Sequence, residues 1–574
     1  MVFVFLFVHP DIKHLFQPHC VKPSLPDITM ATKITNASWK YKDIISKSDV
    51  IREGSPTVYQ LRSKKDNIGT LTRMTFGEKD LSKINKTILL VGETGAGKST
   101  LINALVNFAM GVEWADDIWF QIVEEEKKKQ SESQTSDVIM YKIFGFEDKT
   151  LPFSLTIIDT PGYGDIEGTE RDVIVGQRLL DLFRSNDGVH DINAVGLVMK
   201  AGENRLNDRL RYIFNSVMSL FGKDMETNIV ALITHSDGVT PENVLQALED
   251  ANIKCARDED NEPVHFMFNN RQTKLKTKKD KLALKSAWVL TMDQMGQFVE
   301  FLKKGEPRNL ITTTEVLNLH IQITACVQNL QERIELTELK EREIEQTEEA
   351  LKQQEQEMKN NEKFTVEVDE PYKEQENVSE RRWWGLWMNY GGAVTCNVCQ
   401  ENCHYPCTLA WYAVSCEVMK AGRCTSCSGK CPVSDHVKEK KVYVTKTRRV
   451  TKTVEEIKQK YEKGKADGKK STSLLENLKR EKEELQRGKD QLFEESFQHV
   501  VKLEQIALNV NPLSTYEQVD FLMEKMKERG DTEKVQKLEE MKRRMDEDKG
   551  TKSVLQYMRG KLAAFGRAVK ESVK

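Results

Sequence analysis

Between about residues 84 and 310, short β-branched and apolar runs alternate with amphipathic helical stretches. That rhythm predicts an α/β domain, a mostly parallel sheet flanked by helices. The predicted strands are residues 88–91, 138–144, 155–158, 194–199, 229–233 and 264–268. In an open sheet of this kind chemistry gathers at the carboxyl ends of the strands.

Beyond residue 320 the pattern changes. Leu330, Thr337, Ile344, Leu351 and Met358 recur every seven residues, but the partner positions Glu341, Glu348 and Glu355 are acidic, which leaves half a heptad seam. Leu478, Leu485 and Leu492 repeat the spacing in a second charged stretch. An antiparallel helical hairpin is the economical expectation, with parallel coiled-coil pairing between two molecules as its rival. Pro512 breaks the second stretch, Ser514 and Glu517 have capping-box spacing, and Val519, Leu522, Met523 and Met526 form an apolar stripe. The chain therefore divides into an N-terminal extension, partly disordered (1–83), the α/β domain (84–310), a charged helix (311–380), a cysteine-rich insert (381–440), a second charged helix (441–511) and a small helical module (512–574).

Length supports several domains, since 574 residues exceed what one core serves. Only 39% of residues are apolar and 30% are charged, with a mean hydropathy of -0.55, which fits a globular part joined to elongated, solvated helices. The 86 basic and 89 acidic residues leave a net charge of -3, with no global field for a nucleic-acid backbone. The opening MVFVFLFV is too short to span a bilayer and lacks the basic leader of a signal peptide. Residues 1–29, ahead of Met30, are read as a disordered extension or a start-site artefact, and the protein as cytoplasmic with no transmembrane segment.

Of the eleven cysteines, eight fall between Cys396 and Cys431, which reads as a metal cluster in a reducing compartment. Cys396, Cys399, Cys403, Cys407, Cys416, Cys424, Cys427 and Cys431 would hold two zinc ions in two four-cysteine sites, with His404 or His436 able to replace a thiolate. Such ions would staple a segment that lacks an apolar core. A RING-like ligase surface lacks its Cys-x-His pair here, and Trp383, Trp384 and Trp387 are read as packing residues.

Directly after the apolar run 88–91 comes Gly92, Glu93, Thr94, Gly95, Ala96, Gly97, Lys98, Ser99 and Thr100, a complete GxxxxGKS pattern. Its glycines let backbone NH groups curl around phosphate, Lys98 reaches the outer phosphates, and Ser99 offers its hydroxyl to magnesium. The strand 155–158 delivers Asp159, a second magnesium ligand through water, followed by Thr160, Pro161 and Gly162; the Gly162 NH senses the γ-phosphate. A third strand ends in Thr234, His235, Ser236 and Asp237, where a carboxylate accepts from the N1 and N2 hydrogens of guanine. Adenine offers no such pair. Asn269 and Asn270 end a fourth strand and close over the base edge. Thr135, within 131–137, is chosen as the first-switch magnesium ligand, with Ser133 and Ser136 as rivals.

In this order, P-loop, DTPG, THSD and FNN resemble the GIMAP family of immunity-associated nucleotide-binding GTPases, relatives of the septins and the chloroplast Toc receptors. The likeness spans about residues 84–305, and 206–224 looks like the family's helical box. His235 stands where Ras-like proteins have a lysine, and Toc-like members carry a THxx box there. The resemblance implies GTP and GDP with magnesium, and a homodimer or oligomer formed through the G domain and coiled coil, with further protein partners unidentified. Tyr163 follows Gly162 where a water-orienting glutamine would sit, so slow hydrolysis is expected and no catalytic residue is assigned. The expected role is nucleotide-regulated self-assembly or scaffolding. Its alternatives are a zinc-dependent interaction or ubiquitin-ligase-like module gated by the G domain, and a non-hydrolysing scaffold. The basic run 274–281 is read as a solvated loop.

Overall fold

The computed structural model describes residues 40–547 except 69–70, 125–137, 148–149, 162–168, 186, 204–207, 354–364, 378–391, 408–411, 454–455, 457–473 and 510–512. The strands are β1 (Ser48–Arg52), β2 (Thr57–Leu61), β3 (Lys64–Ile68), β4 (Leu71–Phe76), β5 (Asn85–Gly92), β6 (Ile118–Gln121), β7 (Ile139–Ile143), β8 (Ser154–Asp159), β9 (Asp191–Ile192), β10 (Ala194–Lys200), β11 (Ile229–Thr234), β12 (His265–Met267) and β13 (Arg308–Asn309). They continue as β14 (Thr365–Asn377), β15 (Ala393–Cys396), β16 (Glu401–His404), β17 (Met419–Lys420), β18 (Arg423–Cys424), β19 (His436–Glu439) and β20 (Lys441–Thr453). The helices are α1 (Lys42–Ser46), α2 (Lys98–Met110), α3 (Thr169–Arg184), α4 (Asp208–Met218), α5 (Glu242–Asp250), α6 (Lys281–Lys304), α7 (Ile311–Gln353), α8 (Leu474–Ile506), α9 (Leu513–Glu528) and α10 (Thr532–Glu547).

Each predicted strand is present, as β5, β7, β8, β10, β11 and β12. They lie in one eight-stranded sheet of order β12-β11-β10-β5-β8-β7-β4-β3, parallel except where β7 meets β8 and β3 meets β4. β8 and β11 are buried at every position, because helices cover both sheet faces and no residue can point to water. The boundary expected at residue 84 falls inside this sheet. β3 and β4 are its far edge, and β4 pairs in parallel with β7.

Alternate residues of β5 feed two cores. Ile88 and Leu90 face α2 and α6, while Leu89 and Val91 face α3, α4 and α5. The second core does not stop at the domain edge: it takes in Val316, Leu317, Ile323, Val327 and Leu330 of α7, Leu492, Phe493, Phe497, Val500 and Leu503 of α8, and Val519, Leu522 and Met526 of α9. Each such side chain contributes about 1.5–3 kcal/mol when fully buried, far more than half a heptad seam. α7 and α8 run antiparallel, with the ion pairs Glu315–Lys502 and Glu345–Lys482 at opposite ends. Among the described residues their apolar faces are occupied within the chain. The end of the 206–224 segment is part of this docking face: Leu508 N donates to Phe221 O at 2.8 Å, and His320 Nε2 lies 2.9 Å from Ser219 O.

The charged helices expected over 311–380 and 441–511 are only partly helical. β14 and β20 instead form a thirteen-residue antiparallel ribbon between the helices and the cysteine-rich segment. Its strands carry opposite charges, as in Glu370–Arg448 (2.8 Å) and Glu374–Lys446 (3.0 Å), and Lys452 reaches Glu343 of α7 at 3.0 Å. Cross-strand pairs of this kind hold a ribbon that has little apolar surface. No helix among the described residues is long and apolar enough to cross a membrane.

Candidate nucleotide and metal sites

β5 ends at Gly92 and α2 begins at Lys98, so the glycine loop lies at the carboxyl edge of the sheet with a helix N-terminus behind it. Two glycines are required by their neighbours. A Cβ on Gly92 would sit 2.3 Å from Val198 O, and Gly97, at φ +99°, would place one 3.3 Å from Thr234 Cγ2. The Lys98 ammonium donates to the carbonyls of Gly92 (2.8 Å) and Glu93 (3.1 Å), fastening the loop across its mouth. Ser99 and Thr100 occupy the first turn of α2 beside it. Asp159, fully buried, ends β8 next to Leu90 of β5. Thr160 donates its hydroxyl to Leu90 O at 2.9 Å and ties the start of the DTPG turn to the same strand. Gly162 and Thr135 lie outside the described residues.

Two strands away, Thr234 ends β11 and turns back to the phosphate loop. Its hydroxyl lies 2.6 Å from Ala96 O and 3.1 Å from Met199 O, so the Asp237 turn and the glycine loop are joined through one side chain. His235 takes a left-handed conformation, φ +58°. Desolvation, with the Lys200 and Arg271 charges, lowers its pKa and keeps the ring neutral at pH 7. Asp237 is exposed, and its carboxylate accepts from Val239 N at 3.0 Å. Asn269 donates to Ser236 O at 2.7 Å, so it shapes the Asp237 loop from behind. Asn270 is different: both of its polar side-chain atoms are buried with no hydrogen-bond partner, as are both of Gln272, which is 6% exposed. Orphaned amides beside the Asp237 loop fit a polar ligand. Gln272 carries no signal in the sequence that would have singled it out.

Residues 393–439 fold as the three-stranded β16-β15-β19 sheet and the β17-β18 hairpin around the cysteines. The knuckles are built by amides that donate to sulfur: Cys399 N to Cys396 Sγ, Cys427 N to Cys424 Sγ and Cys431 N to Cys427 Sγ, each 3.3 Å. A Cβ at Gly429 would lie 2.8 Å from Cys431 Sγ. The ligand atoms gather in three groups, not in two four-cysteine sites. Cys396, Cys399, Cys427 and Cys431 form one, Cys403, Cys424, Cys427 and His436 a second, and His404, Cys407, Cys416 and Glu417 a third, each with its atoms within 4.8 Å of one another. The expected sets fail because β16 carries Cys403 and His404 to opposite sides of the strand, splitting neighbours in sequence between groups. Both histidines, named as possible replacements, fall in these groups, His436 in the second and His404 in the third. Glu417 was not foreseen. Four close donors of cysteine and histidine fit a tetrahedral zinc ion.

The glycine loop, buried aspartate and THSD turn at one edge of this sheet define an α/β P-loop domain. Residues 82–173 match the septin family model. The chain is similar to Septin-5 of Macaca fascicularis, 27% identical over 28% of this chain and 42% of that septin. It is similar also to Septin-4 of Rattus norvegicus, 29% identical over 28% of this chain and 34% of that protein. The chain thus spans about a third to a half of the length of the curated relatives it matches. Toc33 of Arabidopsis thaliana, solved with GDP and Mg2+, aligns with 39% of this chain and 88% of its own at 16% identity and a TM-score of 0.28.

Proposed function

We propose that the chain is a guanine-nucleotide switch, a slow GTPase of the cytoplasm whose nucleotide state controls self-assembly or scaffolding. The observation that carries this reading is the Thr234 bridge, which sets the Asp237 turn beside the phosphate loop at one sheet edge. Lys98 and the amides of the glycine loop would hold the phosphates, and Ser99 with Asp159 the magnesium that neutralises their charge. Asp237 would read the guanine edge, with the orphaned Asn270 amide beside it. The GIMAP-like motif order and the septin match over 82–173 support a switch in the segment after Asp159. Assembly then involves the G-domain face, because the apolar faces of α7 and α8 are already covered.

Chromatography of the ligand released from the purified chain tests the base, and Lys98→Ala should abolish its retention. Bound adenine nucleotide, or full GTP affinity in Lys98→Ala, would overturn the assignment. Light scattering with GTP analogue, GDP and no nucleotide tests assembly; one mass in all three states removes that role.

A further inference from the structure

We infer that His404, Cys407, Cys416 and Glu417 form a separate zinc site, and that Glu417 couples it to the helix following the nucleotide switch. The first two ligand groups share Cys427, whereas this third group shares no residue with either. Cys407 Sγ lies 3.9 Å from Cys416 Sγ, and His404 Nδ1 lies 3.2 Å from Cys416 Sγ and 3.3 Å from Glu417 Oε2. A tetrahedral zinc with ordinary bond lengths separates sulfur from sulfur by about 3.8 Å, nitrogen from sulfur by about 3.6 Å and nitrogen from oxygen by about 3.4 Å. The spacings match within a few tenths of an ångström.

Burial points the same way. All four residues are buried, and Glu417 Oε2, closed off from water, faces His404 Nδ1 at 3.3 Å. A buried carboxylate needs a cation beside it, and a zinc ion held jointly with His404 would supply one. The set holds one neutral nitrogen donor, two thiolates and a carboxylate, three negative charges that a divalent ion reduces to one. Lys438 Nζ stands 3.6 Å from Cys407 Sγ and balances the remainder.

The other carboxylate oxygen leaves the site. Glu417 Oε1 pairs with Arg184 Nη1 at 3.4 Å, and Arg184 is the last residue of α3, which begins at Thr169 just beyond the DTPG turn. Arg184 is also hydrogen-bonded to Asn318 of α7, and Gln322 of α7 donates to Glu417 O at 3.4 Å. A shift of α3 therefore acts on a metal ligand through one guanidinium. This coupling, though not the site, rests on the proposed switch.

Elemental analysis of the full-length chain purified from zinc-supplemented cells tests the site. The wild type should carry three zinc ions per chain, and Glu417→Gln and His404→Gln two each. His404→Cys, which keeps a ligand, should restore three and separates loss of metal from loss of fold. A wild-type count of two, or three ions retained in Glu417→Gln, overturns the site. Release to a metallochromic chelator tests the coupling: one equivalent should leave at rates differing about fivefold or more between GTP-analogue and GDP states, the low end of ordinary coupling between sites. Arg184→Ala should abolish the difference. Equal rates in wild type with both nucleotides bound overturn the coupling, whereas absence of bound guanine nucleotide is failure of the switch reading alone.

Discussion

Replacing Thr234 with valine removes one hydroxyl and almost nothing else. The side chain is 2% exposed, and valine keeps the volume and the methyl 3.3 Å from where a Gly97 Cβ would sit. What disappears is the donor to Ala96 O at 2.6 Å, leaving a carbonyl of the phosphate loop unpaired beneath the nucleotide. An orphaned buried acceptor costs about 1–3 kcal/mol. The free protein escapes part of that cost by letting the loop relax, and a bound nucleotide must then order the loop again. Affinity for a fluorescent GTP analogue should therefore fall about 5–30-fold, the factor for one or two kcal/mol. The melting temperature should drop about 2–4 °C, as for about 1 kcal/mol in a domain of this size. Thr234→Ser restores the hydroxyl and should recover most of both losses. Wild-type affinity and melting in Thr234→Val, or a serine variant as weak as the valine one, would refute the bridge.

Asp237→Asn exchanges a carboxylate acceptor for an amide donor, so GTP should bind about tenfold or more weaker, the worth of one hydrogen bond to a charged group, while xanthosine triphosphate gains; competition binding measures both. Arg333→Ala strips the partner from Glu401, a pair at 2.7 Å with the carboxylate 8% exposed, and should cost about 3–5 kcal/mol in urea unfolding. Burial lowers the His320 pKa below 6.5. The unfolded chain then binds more protons between that lowered value and 6.5, so stability declines as pH falls through 6.5 and levels off below the folded pKa. Thermal melts of His320→Gln from pH 7.5 to 5 should lack that portion of the decline.

The α/β domain and the shape of its glycine loop were legible in the chain because both rest on local rules. A buried strand reads as an apolar run, and a phosphate loop needs glycine where backbone must curl, as at Gly92 and Gly97. The ribbon was missed, and its segments read as charged helix: TVEVDEPYKEQEN and KVYVTKTRRVTKT alternate β-branched with charged residues, but their charge reads equally as a helix surface. Pairing of Glu370 with Arg448 is what decides for strands, and the two are far apart in sequence.

Sequence alone determined the residue types: a glycine loop with Lys98 and Ser99, a strand-end Asp159 and Asp237, and a reservoir of thiols. Only the tertiary structure decided how they group. Neighbouring strand residues point to opposite faces, so Cys403 and His404 fall in different candidate metal groups, and Glu417 joins that of His404. The helices α7 and α8 likewise carry too weak a seam to pair by heptads, and it is burial of Leu330, Phe493 and Phe497 against the sheet's helices that fixes their place. Spacing in the chain records which atoms are available, whereas ligand sets and helix docking depend on contacts between distant segments, and those exist only once both cores have closed.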